Sequence, residues 1–318
     1  MKRKRQVATN LFGIPGYNRN RIAFVKGGAC FVTRRFFPFI SALLSMLLLL
    51  AMPVNAKEDT SWDKQFQTQI TEWKDAIANR DPGFKEWQHS QTEVQTLGAN
   101  QRQWLVSIKK SGKQVGYLVV GETPDSDSDP KRKFVLLEYG LGEYILFDDA
   151  FAPREIAAEP VYDGFASHWL LTQSPASHMV NAKTGEPYPT AFIANEPVMR
   201  TLPSNELVHS GQRLTQTRLL KQQEADPFDQ IGWVHQLQST SEITWKQLWQ
   251  QQEGSSITLT VPLHHSKVLA PFVVSSLHLW DDQNAYVGVW DEGLRFVPYT
   301  YAKKVGHFYL NQTSSPAE

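Results

Sequence analysis

The chain of 318 residues balances 32 basic against 32 acidic side chains and contains a single cysteine, Cys30. The balance is uneven, because residues 1–56 hold nine of the basic side chains and none of the acidic ones, which leaves a net charge of about −9 on the remainder. That acidic, cysteine-free remainder disfavours nucleic acid and anionic membrane surfaces as electrostatic partners, and it excludes disulfides, thiolate metal sites and a papain-like nucleophile.

Residues 1–56 read as a targeting leader. Basic residues precede an apolar run, Phe36–Met52, and Pro53-Val54-Asn55-Ala56 then supplies the small-residue pattern of a signal-peptidase site. The run is short and holds Pro38, which puts it at the lower limit for a permanent bilayer span. A cut between Ala56 and Lys57 is therefore expected, with membrane contact only through an uncleaved leader. Thr33-Arg34-Arg35-Phe36-Phe37 fits a twin-arginine core, whereas Leu43–Met52 suits the general secretory route, and Val32 is an alternative start. Cys30 lies before the apolar run, so it is no lipobox cysteine. The expected location is the cell envelope or the extracellular space.

After the leader, Trp62, Phe66, Ile70, Trp73 and Ile77 recur every three or four residues, the stripe of an amphipathic helix over about 61–80. Thr60 or Ser61 can cap it, and Asp81-Pro82-Gly83 stops it. Strands are expected at 92–97, 102–109, 114–121 and 133–139, with a turn at Lys110-Ser111-Gly112-Lys113 and a solvated loop over Thr123–Lys131. Gly140-Leu141-Gly142 breaks the pattern before a strand at 143–147, and 167–172 with 177–181 reads as a further pair closed by a turn at 182–187. The fold class expected is α+β: an amphipathic helix packed on an antiparallel sheet within a domain of residues 57–190.

Residues 191–254 have weaker periodicity and are expected to be a connection of helices and loops. Within it, Thr240 or Ser241 would cap a short helix burying Ile243, Leu248 and Trp249, ended by Gly254. The region 255–311 is expected to be β-rich, with strands at 256–263, 268–280, 284–290, 294–298 and 305–310 and turns at 281–284 and 291–293. Residues 312–318 form a polar tail.

Val115-Gly116-Tyr117-Leu118-Val119-Val120-Gly121 followed by Val135-Leu136-Leu137-Glu138-Tyr139 resembles the propeptide-like modules of secreted bacterial cysteine peptidases of the streptopain kind. His178-Met179-Val180-Asn181-Ala182-Lys183-Thr184-Gly185-Glu186 is similar to the closing hairpin of PepSY domains, with Asn181 where Asp is usual. The resemblance covers about 57–190. It implies a structural role for Gly116, Tyr117, Glu138, Tyr139, Thr184 and Gly185, and a non-catalytic accessory module whose partner is a secreted peptidase or another envelope protein. In such peptidases a domain with Cys and His follows; here no cysteine follows residue 30.

Candidate chemistry is sparse. His264 and His265 are adjacent, so on a strand they would point to opposite faces and not share a metal. His278 alternates with Ser276 and Trp280 and is a candidate pocket residue, with Trp280 and Trp290 beside it. No H-E-x-x-H, G-x-S-x-G or Gly-rich phosphate loop is present, and Ser275-Ser276 near His278 does not make a triad. Asp148-Asp149, Asp281-Asp282 and Asp291-Glu292 sit at turns, where solvated acids are common. No cofactor or metal is expected. The C-terminal aromatics suit core filling, because residues 284–290 place apolar side chains on both faces. The function expected is therefore binding or regulation without catalysis; the alternatives are an extracellular hydrolase with a C-terminal site and a cell-wall carbohydrate binder.

Overall fold

Helix α1 (Ser61–Arg80) opens the described part of the chain. The structure, a computed structural model, describes residues 61–98, 101–123, 133–143, 145–153, 158–171, 178–194, 196–221 and 243–311. The leader, Thr60, Thr240, Ser241, most of the 123–131 loop and the polar tail lie outside these residues. Among the described residues no helix is long and apolar enough to cross a membrane.

Phe66, Ile70, Trp73 and Ile77 of α1 are buried, as the three-to-four spacing dictates. The helix ends at Arg80 because Asp81 precedes Pro82, and a residue before proline is driven out of the helical region. Asp81 instead caps a short 3₁₀ helix, Pro82–Trp87, its carboxylate accepting from Gly83 N at 2.8 Å. Phe84 and Trp87 of that turn join the same core as α1.

Strands β1 (Gln91–Thr96), β2 (Gln103–Lys110), β3 (Lys113–Glu122) and β4 (Phe134–Leu141) form an antiparallel meander. Strands β5 (Ala158–Val161), β6 (His168–Leu171) and β7 (His178–Asn181) make a separate three-stranded sheet. Short β8 (Val208–His209) and β9 (Leu214–Leu219) follow, then α2 (Trp245–Trp249). A second meander contains β10 (Ser256–Leu263), β11 (Val268–Trp280), β12 (Asn284–Trp290) and β13 (Leu294–Pro298); α3 (Tyr299–Val305) and β14 (His307–Asn311) complete the chain. The protein is a β-rich α+β protein in which every described strand pair is antiparallel.

The two meanders are one sheet. Its order among the described residues is β1-β2-β3-β4-β13-β12-β11-β10-β14, with β8 on the free half of β4 and β9 on the free half of β11. The seam is β4 against β13, with Leu141, Gly140 and Tyr139 opposite Leu294, Arg295 and Phe296. Asp59–Glu318 is one compact unit, and its main sheet draws strands from both the 57–190 and the 255–311 stretches.

Two bulges set which side chains face which core. In β4 the register slips between Val119–Glu138 and Val120–Leu136, leaving Leu137 as the extra residue. In β11 it slips at Ser275, between Val274 and Ser276. A one-residue insertion flips every later side chain to the other face. Beyond the first bulge, Tyr139 therefore joins Leu136 and Phe134 in the core of α1. Glu138 is turned the opposite way, toward Tyr117 and Tyr162. Beyond the second, His278 and Trp280 face the α1 side, with the His278 ring stacked on Phe296 at 3.9 Å.

Local expectations met several corrections. Of the expected strand at 143–147, the described residues 143 and 145–147 are bend, irregular and turn, since Gly142 at φ +117 breaks the extended run. The connection 191–254 supplies β8 and β9 to the main sheet as well as loops and α2. Helix α2 is capped by Thr244, with a reciprocal bond to Gln247, and not by Thr240 or Ser241. The expected strand at 305–310 begins only at His307, because Tyr299–Val305 is helical.

Gly116 is required by close approach. A Cβ there would lie 2.4 Å from Trp87 Nε1 and 2.6 Å from Gly140 O. The Trp87 indole donates to Val115 O at 3.3 Å and locks the 3₁₀ turn onto β3. Gly116→Ala should cost about 1–3 kcal/mol through forced displacement of Trp87 or β4, measured by urea unfolding; a variant of unchanged stability would contradict the packing described.

Candidate functional site

Among the described residues, two buried polar clusters and an open groove gather the side chains suited to chemistry or binding. The first cluster centres on His278. Its Nε2 lies 2.9 Å from Asp81 Oδ2 and its Nδ1 lies 2.8 Å from the Tyr139 hydroxyl. The Asp81 carboxylate only accepts, so Nε2 carries the proton, Nδ1 accepts from Tyr139 O–H, and Tyr139 accepts in turn from Trp280 Nε1 at 3.4 Å. Burial holds the His278 pKa below the ordinary histidine value, outweighing the opposing pull of Asp81. Burial pushes Asp81 up, but its bonds to His278 and to Gly83 N bring it below the usual carboxylate range. The chain of bonds is fully used by its own members, and His278 has no exposed surface.

The second cluster lies at the seam. Arg295 donates from Nε to Glu138 Oε1 at 2.9 Å and from Nη2 to Glu138 Oε2 at 3.2 Å. The Tyr117 and Tyr162 hydroxyls also donate to Glu138. Arg295 further donates to Asp291 Oδ2 at 2.6 Å and to Gly164 O at 3.1 Å, and its guanidinium sits over the Phe165 ring. Lys183 Nζ is 3.4 Å from the same Asp291 oxygen. Two carboxylates thus face two cations, all with little or no exposure except Asp291. Burial raises the Asp291 pKa, yet Arg295 and Lys183 hold it below the usual range. Burial depresses Lys183 more than Asp291 restores it.

The residues singled out in the sequence are distributed over these clusters. Glu138 and Tyr117 belong to the seam cluster, Tyr139 and Trp280 to the His278 chain. Trp290 is half-buried and its indole nitrogen has no partner among the described residues. His278 was expected to face a pocket; it faces the packed core of α1, because the β11 bulge turns it there. Ser275 and Ser276 are buried, and both ring nitrogens of His278 are already taken, so no serine–histidine pair forms. The closing hairpin is braced locally: Asn181 Oδ1 accepts from Lys183 N at 2.8 Å and Thr184 N at 3.0 Å, and Gly185 adopts φ +71 against Phe151. Asp281 and Asp282 are not merely solvated, since they accept from Arg213 N, Thr215 and Gln216 and hold β9 in place. Ala56 and Lys57 lie outside the described residues.

Sequence reasoning missed Asp81, read only as a helix stop, and Arg295, Asp291 and Lys183. The available signal was a lone arginine in the otherwise apolar Leu294–Pro298 and a lone glutamate in Val135–Tyr139. Among the described residues no group of three or more His, Cys, Asp or Glu side chains could hold a metal ion.

The groove runs along α1. A hollow of about 570 Å³ opens between Glu72, Asp75, Asn79 and Arg80 of the helix and residues 211–214. A second, of about 450 Å³, shares Glu72 and continues toward Ser61, with Gln69, Phe134 and Ser210 in its wall. The helical spacing explains this: residues 61, 65, 68, 72, 76 and 80 follow one another at three or four along the flank beside the buried stripe.

Compared with known proteins, the chain matches no protein-family model and no curated protein sequence.

Removing one member of the buried pair strands the other. Arg295→Met and Glu138→Gln should each destabilise strongly, Arg295→Met by about 3–5 kcal/mol, and the double variant should recover part of the loss; additive effects in urea unfolding would refute the coupling. His278 should make the fold acid-sensitive. Its folded pKa lies below the ordinary value of 6.5, so the unfolded chain takes up the proton first. Stability is then complete above that value and falls as pH drops below it. His168 and His264, also depressed by burial, act in the same direction. His278→Gln should flatten the slope below pH 6.5 by up to about 1.4 kcal/mol per pH unit, and an unchanged slope would remove His278 from the account.

Proposed function

We propose that this chain is an exported, non-catalytic binding or accessory protein of the bacterial cell envelope or extracellular space, and that it binds along the groove of α1. One contrast carries the reading. The groups best suited to acid–base work, Glu138, His278 and Asp81, are committed to partners inside the protein, Asp81 to His278 and Glu138 to Arg295. The charged side chains along the groove, Lys64, Glu72, Asp75, Arg80 and Arg213, are in no ion pair with any described residue. Charges left unpaired beside a concave surface are the ordinary makings of a recognition site. The helix laid on an antiparallel sheet gives that groove a rigid wall.

The likeness of residues 57–190 to propeptide-like and PepSY-like modules supports an accessory role with a secreted peptidase or another envelope protein as partner. The basic leader and its small-residue end support export.

The full chain, expressed in a bacterial host and fractionated, should be recovered outside the cytoplasm with Lys57 as its first residue. Used as bait against envelope and culture-supernatant proteins, it should retain a partner that the Glu72→Lys variant loses. An uncut cytosolic chain would overturn the export, and identical captures by the two baits would overturn the groove as the binding surface.

A further inference from the structure

We infer that the groove along α1 takes the end of an extended peptide, with its free C-terminal carboxylate between Arg80 and Arg213 and a cationic side chain two to four residues earlier beside Asp75 and Glu72. This deepens the binding reading above and rests on it.

Lys64 lies toward the start of α1 in the wall of the second hollow, and beyond it the charges follow in two blocks. Glu72 and Asp75 stand one turn apart on the same flank of α1, and Arg80 follows one turn after Ala76. Arg213, on the 211–214 side, lines the same hollow as Arg80, and its backbone N–H donates to Asp281 Oδ1. Two carboxylates therefore precede two guanidinium groups. Guanidinium groups are the side chains suited to carboxylate recognition, because their planar fork matches its two oxygens. At 1.5 Å per helical residue, Asp75 and Glu72 lie about 7.5 and 12 Å along the axis from Arg80. An extended chain advances about 3.3 Å per residue, so those distances span roughly two to four residues of ligand.

The shape favours a chain over a single amino acid. The hollow between α1 and residues 211–214 is already of a size for a small ligand, and the second hollow prolongs it past Glu72 toward the start of the helix. An independent observation lies in the wall of that second hollow. The Gln69 side chain is only 3 % exposed, and its amide nitrogen has no hydrogen-bond partner among the described residues. A buried amide without a partner is costly, and a peptide backbone carries the groups that would satisfy it.

The test is fluorescence anisotropy with the full-length protein and fluorescein-labelled Ala-Ala-Ala-Lys-Ala-Ala carrying a free C-terminus. Saturable binding is expected. Amidating the C-terminus, or replacing Lys by norleucine, should each weaken it about tenfold. Arg213→Glu should weaken the free acid but leave the amide unchanged, and Glu72→Lys should weaken the lysine peptide but leave the norleucine peptide unchanged. That crossed pattern assigns each charge to its partner, which a general loss of folding cannot mimic. Both residues are exposed, so thermal melting should not change. No saturation up to millimolar peptide, equal binding of all peptides, or variants lacking the crossed pattern would overturn the inference. If the peptide fails while Glu72→Lys still abolishes partner capture, only the ligand chemistry falls; if capture is also unaffected, the groove falls with it.

Discussion

The fold depends on a buried ion pair that ties together strands far apart in the chain. Glu138 and Arg295 are separated by 157 residues yet share two hydrogen bonds inside the protein. Leaving either charge buried without the other would cost several kcal/mol, so the two are buried together at the seam between β4 and β13. The main chain contributes only a short register there, Leu141 to Tyr139 against Leu294 to Phe296. The side-chain cluster therefore does much of the work that a longer ladder would do elsewhere. Gly140 leaves the position opposite Arg295 without a side chain, and a Cβ there would strike Leu294 O at 2.7 Å. The arginine can then turn diagonally to Glu138.

The two faces of the sheet solve the same problem in different ways. On the α1 face, His278 is neutral and its needs are met by Asp81, Tyr139 and packed rings. On the other, full charges are kept and balanced two against two, with Tyr117, Tyr162 and Gly164 completing the acceptors and donors. Both arrangements fix side-chain positions closely, since most members are held by more than one hydrogen bond within their own network. On the outer flank of α1, by contrast, Lys64, Glu72, Asp75 and Arg80 make no ion pair with any described residue. That division, committed interior and uncommitted flank, is why the functional argument follows the helix and not the histidine.

Most of the local elements were legible in the sequence because they follow simple periods. The α1 stripe, the strands of both meanders and the tight turn at Ser111-Gly112, both at positive φ, all match. What was not legible has identifiable causes. The bulges at Leu137 and Ser275 change the phase of alternation in mid-strand, so a period of two mispredicts which residues share a face. The alternation of Ser276, His278 and Trp280 was legible, but which side of the sheet that face would cover was not. The single sheet was missed because strand pairing over a long sequence separation leaves no local trace. The seam strands β4 and β13 also look complete without each other. Helix α3 was missed because Tyr299–Val305 is short and its neighbours are strands. The groove flank was passed over because its residues are polar at helical spacing, the ordinary appearance of a solvated helix face.

The long interval between Glu138 and Arg295 also orders assembly in time. A chain made from its first residue onward completes α1 and β1–β4 well before Arg295 exists. During that interval the edge of β4 is open and Glu138 has tyrosines but no cation. Non-local pairing of this kind is slow to form and leaves an unpaired edge exposed while it waits. The N-terminal half is thus a docking template for its own C-terminus, and the last strands to be synthesised are the ones that make the first ones permanent.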